Sequence, residues 1–103
     1  MNPVIRSSLC RVLTAAIRAR EEGRANVFVD YTPHVDRVYV HANPISQKYE
    51  GEDHVHVLRE DIKISGDMAL GHAELLIKLE DIRHQIDGLD TRETIDDLGR
   101  EWA

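Results

Sequence analysis

Six histidines stand among 103 residues, and the spacing of some of them could support metal chemistry. His54 and His56 are separated by one residue, so on a strand their side chains share a face. Such a pair can give two imidazole ligands to Zn²⁺, and His41 on a neighbouring predicted strand, or Asp53, could complete the site. Because the spacing is unspecific, we favour half-exposed histidines without metal. A metal-binding protein or small metal-dependent hydrolase is the alternative function.

Other catalytic chemistries find less support in the sequence. Cys10 is the only thiol, and it lies near the apolar stripe of the first predicted helix, where cysteine usually acts as a small buried hydrophobic residue. Adjacent acid pairs diverge on a helix or strand, so we interpret them as solvated surface. The six glycines are isolated, and no phosphate-binding loop is predicted. We therefore expect neither an enzyme nor a bound cofactor.

The first helix that could position such residues is predicted to begin at Asn2. Asn2 suits the N-cap, and Pro3 suits the first helical position, where its missing N–H costs nothing. Gly23 is predicted to end the helix in the left-handed conformation. Apolar residues recur at three- and four-residue spacing and predict one buried stripe, which consists of Ile5, Leu9, Val12, Leu13, Ala16 and Ile17.

The middle of the chain changes to a two-residue alternation that is rich in Val and Tyr and indicates strands. Two antiparallel strands are predicted at residues 27–31 and 37–41, and a short hairpin containing Pro33 joins them. Asn43 and Pro44 are predicted to end the second strand. Strands that follow one another in this way form a meander.

A third strand is predicted at residues 54–58, with Val55 and Val57 facing inward. Ile62 and Ile64 continue the alternation beyond it. The pattern leaves open whether these two residues extend the third strand past a bulge or form a short fourth strand. The predicted sheet therefore contains three to four antiparallel strands.

Two further helices are predicted to follow the sheet. The first begins at Ser65 or Asp67 and ends at Gly88. Its predicted buried stripe consists of Met68, Leu75, Leu79, Ile82 and Ile86. The last helix is capped by Asp90 or Thr91. Its predicted apolar residues are Ile95, Leu98 and Trp102.

The element order α-β-β-β-α-α indicates an α+β fold in a single domain over residues 1–103. We expect a two-layer sandwich in which helices cover one face of a small antiparallel sheet. With 42% hydrophobic and 31% charged residues, the composition is that of a globular domain rather than a disordered or membrane-spanning chain. The single Cys10 fits a reducing compartment, and Arg6 interrupts the first apolar run, so we expect the cytoplasm and no secretory signal.

Charge is distributed unevenly along the chain, whose net charge is −6. Residues 1–24 hold five Arg and two Glu, whereas residues 65–103 hold ten acidic and four basic residues. The excess of acidic residues in 65–103 argues against nucleic acid as a partner, because affinity for phosphates comes largely from clustered Lys and Arg. It favours a basic protein surface. The predicted acidic face consists of Glu74, Glu80, Asp81, Asp87, Asp96, Asp97 and Glu101.

The order α-β-β-β-α resembles that of the double-stranded-RNA-binding domain. The segments 32–34 (Thr-Pro-His) and 37–40 (Arg-Val-Tyr-Val) are similar to a turn and the following second strand in that family. The resemblance implies RNA binding, with a basic start to the last helix that contacts phosphates. This chain departs from the pattern, because residues 65–71 contain no basic residue. Double-stranded RNA or DNA binding is therefore a second alternative, for which the first helix offers Arg6, Arg11 and Arg18.

Together these observations favour a non-enzymatic protein-interaction module. The chain carries no recognisable catalytic or cofactor pattern, is close to the smallest size that folds unaided, and has polarised charge. We expect a small regulator or inhibitor, of a type that phages and mobile elements encode, which presents its acidic helices to a basic protein. The edges of the predicted sheet and its second helix also favour a homodimer. No membrane association is predicted.

Overall fold

The computed structural model describes residues 1–45 and 57–92 of the chain. The predicted last helix, and the predicted metal ligands His54 and His56, lie outside these ranges. Within them the fold is α+β, with two helices and a three-stranded antiparallel sheet. The elements are α1 (Pro3–Glu21), β1 (Asn26–Thr32), a short 3₁₀ turn (Pro33–Val35), β2 (Arg37–Asn43), β3 (Leu58–Lys63) and α2 (His72–Gly88).

The two ends of α1 confirm the signals in its sequence. The side chain of Asn2 accepts a hydrogen bond from a backbone N–H of the first turn, and Pro3 takes the first helical position. Gly23 has a φ angle of +68°, in the left-handed region that favours glycine. The backbone N–H of Arg24 then donates to the carbonyl of Ala19 at 2.9 Å, which closes a Schellman ending.

The buried side of α1 is rotated from the predicted stripe. Ile5, Val12 and Ala16 are buried as expected, but Leu13 and Ile17 are 48% and 51% exposed, so the prediction is wrong for them. The other buried residues of α1 are small, namely Ser8, Ala15 and Ala19. Helix α2 packs along this side of α1, and short side chains allow the two helices to approach closely. Periodicity alone does not show which side the second helix takes.

The sheet has β2 at its centre, paired antiparallel with β1 on one side and β3 on the other. One face is apolar: Val38, Val40 and Ile62 are almost completely buried there. Both helices cover this inner face and share one core with it. Four residues of α2 enter that core as predicted, namely Leu75, Leu79, Ile82 and Ile86. Each such side chain stabilises the fold by about 1.5–3 kcal/mol through burial.

Helix α2 begins later than its sequence signals suggest. Its N-cap is Gly71, and Met68 is 93% exposed, so the prediction that Met68 belongs to the buried stripe is wrong. The cause is local, because Gly66 and Met68 have φ angles of +84° and +71°. Residues in the left-handed region cannot continue a right-handed helix. The predicted end at Gly88 is confirmed, and Leu89 is already extended.

The strand β3 lies where Ile62 continues the predicted alternation, while residues 54–56 of the strand predicted at 54–58 lie outside the described residues. Val57 precedes β3 and is 43% exposed, so its predicted inward direction is wrong. Ile62 belongs to β3 and enters the core, whereas Ile64 follows the strand. Four of the six residues of β3 are charged, so the strand has only a weak hydrophobic pattern. Such a composition is tolerated because β3 is an edge strand with one open face.

Candidate functional site

The structure places one of the three predicted metal ligands, His41, on the outer face of the sheet. His41 lies between Phe28 and Tyr39, with ring centroids 4.6 Å and 4.8 Å away. Its Nε2 atom is 4.0 Å from Oδ2 of Asp30. Within residues 1–45 and 57–92, no three His, Cys, Asp or Glu side chains are close enough together to hold a metal ion. His41 and Asp30 alone are fewer ligands than a zinc site needs.

The rest of the outer face is a mixed polar surface. The guanidinium of Arg59 lies 5.9 Å from the ring centroid of Tyr39, and Arg37 pairs with Asp61 at 2.7 Å. Positive and negative side chains alternate across the strands. The face therefore lacks the strong field of one sign that would attract a polyanion.

Four of the seven residues predicted to form the acidic face lie on α2. Glu74 and Asp81 are exposed. Glu80 and Asp87 are held by Arg83, whose guanidinium donates hydrogen bonds to both carboxylates. The face is thus divided between two open and two paired acids. The other three predicted members lie outside the described residues, namely Asp96, Asp97 and Glu101.

One ion pair on α2, between Arg83 and Glu80, perturbs the pKa of both its members. Arg83 Nη1 lies 2.7 Å from Asp87, and Arg83 Nε lies 3.0 Å from Glu80. The hydrogen bonds from Arg83 lower the pKa of Glu80, and the same interaction raises the pKa of Arg83. Arg18 of α1 approaches Asp87 at 3.8 Å. The surface is therefore nearly neutral around Asp87 and more acidic towards the start of α2.

Ile77 is the most exposed large aliphatic residue on either helix, at 70%. It lies on α2, and residues three and four positions apart on a helix are neighbours on its surface. Ile77 is therefore surrounded by Glu74, Glu80 and Asp81. We call these four residues the Ile77 patch. The i, i+3 and i+4 spacing of the three acids around an aliphatic residue is visible in the sequence, but the side of α2 that faces solvent is not.

The Ile77 patch continues into an open groove between the two helices, here called the α1–α2 groove. Val4 and Leu76 add apolar surface to it, while Arg11 and His84 add polar groups. Its volume is about 550 Å³. This space is large enough to receive side chains from a partner.

Ser8 and His84 both line the α1–α2 groove, and a serine hydrolase needs residues of these two types. Among the described residues, however, no hydrogen bond joins Ser8 to His84. Ser8 is also almost completely buried on the side of α1 that packs against α2. A nucleophile must reach both its base and its substrate, so this arrangement does not support catalysis.

The three predicted arginines of α1 lie on two sides of the helix. Arg11 and Arg18 lie beside α2, where they approach Glu80 and Asp87. Arg6 lies on the opposite side, next to β1. The three cations are thus not brought together, and two of them balance acids of α2.

A second apolar groove lies between α1 and the edge strand β1, here called the α1–β1 groove. Its walls include Leu9, Cys10 and Leu13 from the helix, together with Val29 and Tyr31 from the strand. Cys10 is exposed here rather than buried, which corrects the interpretation of it as a core residue. The sequence did not indicate this groove, because Leu13 was predicted to be buried and is instead half exposed.

Arg24 connects the segment after α1 to the end of α2 and was not singled out by its sequence position. Its side chain is almost completely buried, and Nη1 donates to the carbonyls of Ile86, Asp87 and Leu89 at 3.0, 3.3 and 2.7 Å. The positive charge caps the carboxyl end of α2, where carbonyls lack helical partners. Thr91 donates to the carbonyl of Arg24 at 2.6 Å and fixes the segment that follows α2.

Comparison with known proteins gives no match: no protein-family model fits the chain, and no curated protein or solved structure is similar enough to indicate a relationship. The similarity to the double-stranded-RNA-binding domain thus remains one of element order. Neither helix of the described residues is long and apolar enough to cross a membrane. Any assignment of function therefore depends on the surfaces themselves.

Proposed function

We propose that the chain is a non-enzymatic protein-interaction module, a small regulator or inhibitor that binds a basic protein through α2. The observation that carries the proposal is an exposed Ile77 surrounded by Glu74, Glu80 and Asp81. Covering an aliphatic side chain of this size is worth about 1.5–3 kcal/mol. The three acids give the contact its charge preference.

The expected partner presents an apolar side chain flanked by Lys or Arg. Its apolar group would enter the α1–α2 groove beside Val4, and its cations would meet Glu74 and Asp81. Charged groups at the rim of an interface mainly set specificity and the rate of association, while the apolar centre supplies affinity. Binding should therefore weaken, but not vanish, as salt is added.

The proposal keeps the complete order α-β-β-β-α-α, in which the last helix extends the acidic surface. We also keep the cytoplasm as the location, because a single cysteine fits a reducing compartment. No observation on the described residues favours the metal-dependent or nucleic-acid alternatives over protein binding. The origin from a phage or mobile element remains an expectation from size alone.

A pull-down from an extract of the source organism tests the proposal. We expect the tagged chain to retain one specific basic protein at moderate salt. The Ile77→Ser variant and the double variant Glu74→Lys, Asp81→Lys should each retain roughly tenfold less, because each removes one component of the patch. Retention is measured by quantitative mass spectrometry of the bound fraction.

Glu21→Lys is the matched control, since Glu21 is an exposed acid on α1 outside the Ile77 patch. It changes the net charge in the same direction and should leave retention unchanged. The proposal is wrong if no protein is retained by the wild-type chain. It is equally wrong if the patch variants retain as much as the control.

A further inference from the structure

The two outer strands of the sheet protect their edges very differently. β3 carries four charged residues among six, and at its start the N–H of Val57 also bonds to the carbonyl of Ala42, as in a bulge. β1 carries one charged residue, Asp30, among seven, and its pairing with β2 is regular. Charges and bulges are the usual means by which edge strands avoid pairing with another chain. By this comparison β3 is protected and β1 is open.

The hydrogen-bond pattern shows which backbone groups of β1 point away from the sheet. The carbonyls of Asp36 and Ala42 accept hydrogen bonds from Ile64 and Val57, which lie on the β3 side. The backbone N–H and C=O groups of even-numbered residues in β2 therefore point towards β3, and those of odd-numbered residues point towards β1. Hydrogen-bonded pairs alternate along an antiparallel ladder. The register then directs the N–H and C=O groups of three β1 residues outward. These residues are Val27, Val29 and Tyr31.

Apolar side chains accompany these outward backbone groups. Val27 and Val29 face the helix layer but are only half buried, whereas Val38 and Val40 beside them on β2 are completely buried. Above the strand, α1 leaves Leu13 and Ile17 about half exposed, one helical turn apart. The apolar layer of the protein therefore extends beyond the edge of its own sheet.

We propose that β1 pairs with β1 of a second copy of this chain, antiparallel, about a two-fold axis at Val29. In this register Val29 lies opposite Val29 of the second copy, and Val27 lies opposite Tyr31 of the second copy. The outward N–H and C=O groups of all three residues then form hydrogen bonds between the two chains. The strand edge is thus complementary to itself. The α1–β1 groove of each copy meets that of the other, and Leu13 and Ile17 are covered by their symmetry mates.

A second copy fits this edge because one two-fold axis would both pair the outward backbone groups of β1 and bring Leu13 and Ile17 of the two copies together. The Ile77 patch lies on the far side of α1, so a dimer formed in this way leaves it free for the partner of the proposed function. For the described residues, the result would be one six-stranded sheet with α1 and α2 of both copies on the same face. The inference does not depend on the proposed function, because it concerns a different surface.

Solution mass over a dilution series tests the inference, using size-exclusion chromatography with light scattering. We expect wild-type protein to have twice the mass of one chain at high concentration. The double variant Leu13→Glu, Ile17→Glu should weaken dimerisation roughly 100-fold, because it places charges in the apolar contact. Both residues are half exposed in one chain, so the variant is expected to fold. Ile77→Glu is the control and should leave the mass unchanged.

Proline and cysteine substitutions test the strand pairing itself. The N–H of Val29 points away from β2, so Val29→Pro should keep the fold, followed by circular dichroism, and abolish the dimer. In a Cys10→Ser background, Val29→Cys should form an intermolecular disulfide with oxidised glutathione, because directly paired Cα atoms lie about 5.5 Å apart. Asp30→Cys, which is off the axis, should not. A monomer at every concentration would overturn the inference, as would cross-linking at position 30 and not at 29.

Discussion

The two grooves beside α1 differ in what surrounds their apolar residues. In the α1–α2 groove, Ile77 and Val4 are surrounded by charged side chains, and the neighbouring backbone is helical with its hydrogen bonds made internally. In the α1–β1 groove, Leu13 lies beside β1, whose outward backbone groups point away from the sheet that the described residues form. The α1–α2 groove therefore offers charged and apolar side chains to a partner. The α1–β1 groove offers backbone hydrogen-bonding groups and apolar surface.

This difference separates two kinds of partner. Charges that surround an apolar centre select a complementary charge, which a second copy of the same acidic patch does not supply. A strand edge with few charges, such as that of β1, can pair with its own copy under two-fold symmetry. If both proposals hold, the chain would bind a foreign protein and its own copy at the same time.

The largest effect is expected at Arg24, which connects the segment after α1 to the end of α2. Replacing Arg24 by Ala removes the largely buried Nη1 group, which donates to the carbonyls of Ile86, Asp87 and Leu89. We expect the free energy of unfolding to fall by about 3 kcal/mol in urea denaturation. Arg20→Ala, which removes an exposed arginine near the end of α1, should cost less than about 0.5 kcal/mol. Equal losses in the two variants would contradict the role of Arg24.

A smaller effect should distinguish the closed and the open side of α1. Ala15 is buried where α2 approaches, so Ala15→Leu should overpack the contact and destabilise the fold by about 2 kcal/mol. Leu13 is half exposed in one chain, and Leu13→Ala should cost only about 1 kcal/mol under monomeric conditions. Thermal or urea unfolding measures both changes in the free energy of unfolding. If Leu13→Ala lowers the free energy of unfolding more than Ala15→Leu does, the assignment of the buried and exposed sides of α1 is wrong.

The smallest effect concerns the end of β1 next to the α1–β1 groove. Asp36 accepts hydrogen bonds from Ser65 and Tyr31, each at 2.6 Å, and these bonds lower the pKa of Asp36. Because the folded state favours the ionised carboxylate, this stabilisation is present above the ordinary carboxyl pKa. It is lost as pH falls through the lowered value.

Asp36→Asn should therefore lower the unfolding midpoint at neutral pH by a small amount. The difference from wild type should disappear in strongly acidic solution, where the carboxyl of Asp36 is protonated in both states. Unfolding curves recorded from neutral pH to strongly acidic pH measure this. A difference that grows as pH falls would have the wrong sign for this account.

The sequence predicted the parts of the fold that depend on local signals. Asn2, Pro3 and Gly23 set the ends of α1, and the alternation around Val38 and Val40 revealed the central strand, because these preferences act within a few residues. The alternation that continues to Ile62 indicated a strand where β3 lies, but the pattern did not give its bounds, since its many charged residues are acceptable only at an edge that tertiary structure creates. The exposed side of α1 depends on where α2 packs.

The candidate site could be predicted only in outline. The acidic character of α2 is visible in composition, but pairing by Arg83 divides the acids into two groups, and that depends on geometry. Ile77 has the same type as its buried neighbours Ile82 and Ile86, so only its position on the helix marks it out. The role of Arg24 could not be predicted from the sequence either, because its carbonyl partners are more than 60 residues away along the chain.

Photo-cross-linking from one residue in each groove tests the central claim most directly. A benzophenone amino acid replaces Ile77 in one variant and Leu13 in another, and each tagged protein is irradiated in an extract of the source organism. The account predicts that position 77 is cross-linked to a basic protein of different sequence and that position 13 is cross-linked to a second copy of the chain. Self-cross-linking from position 77, or the same foreign protein from both positions, would contradict it.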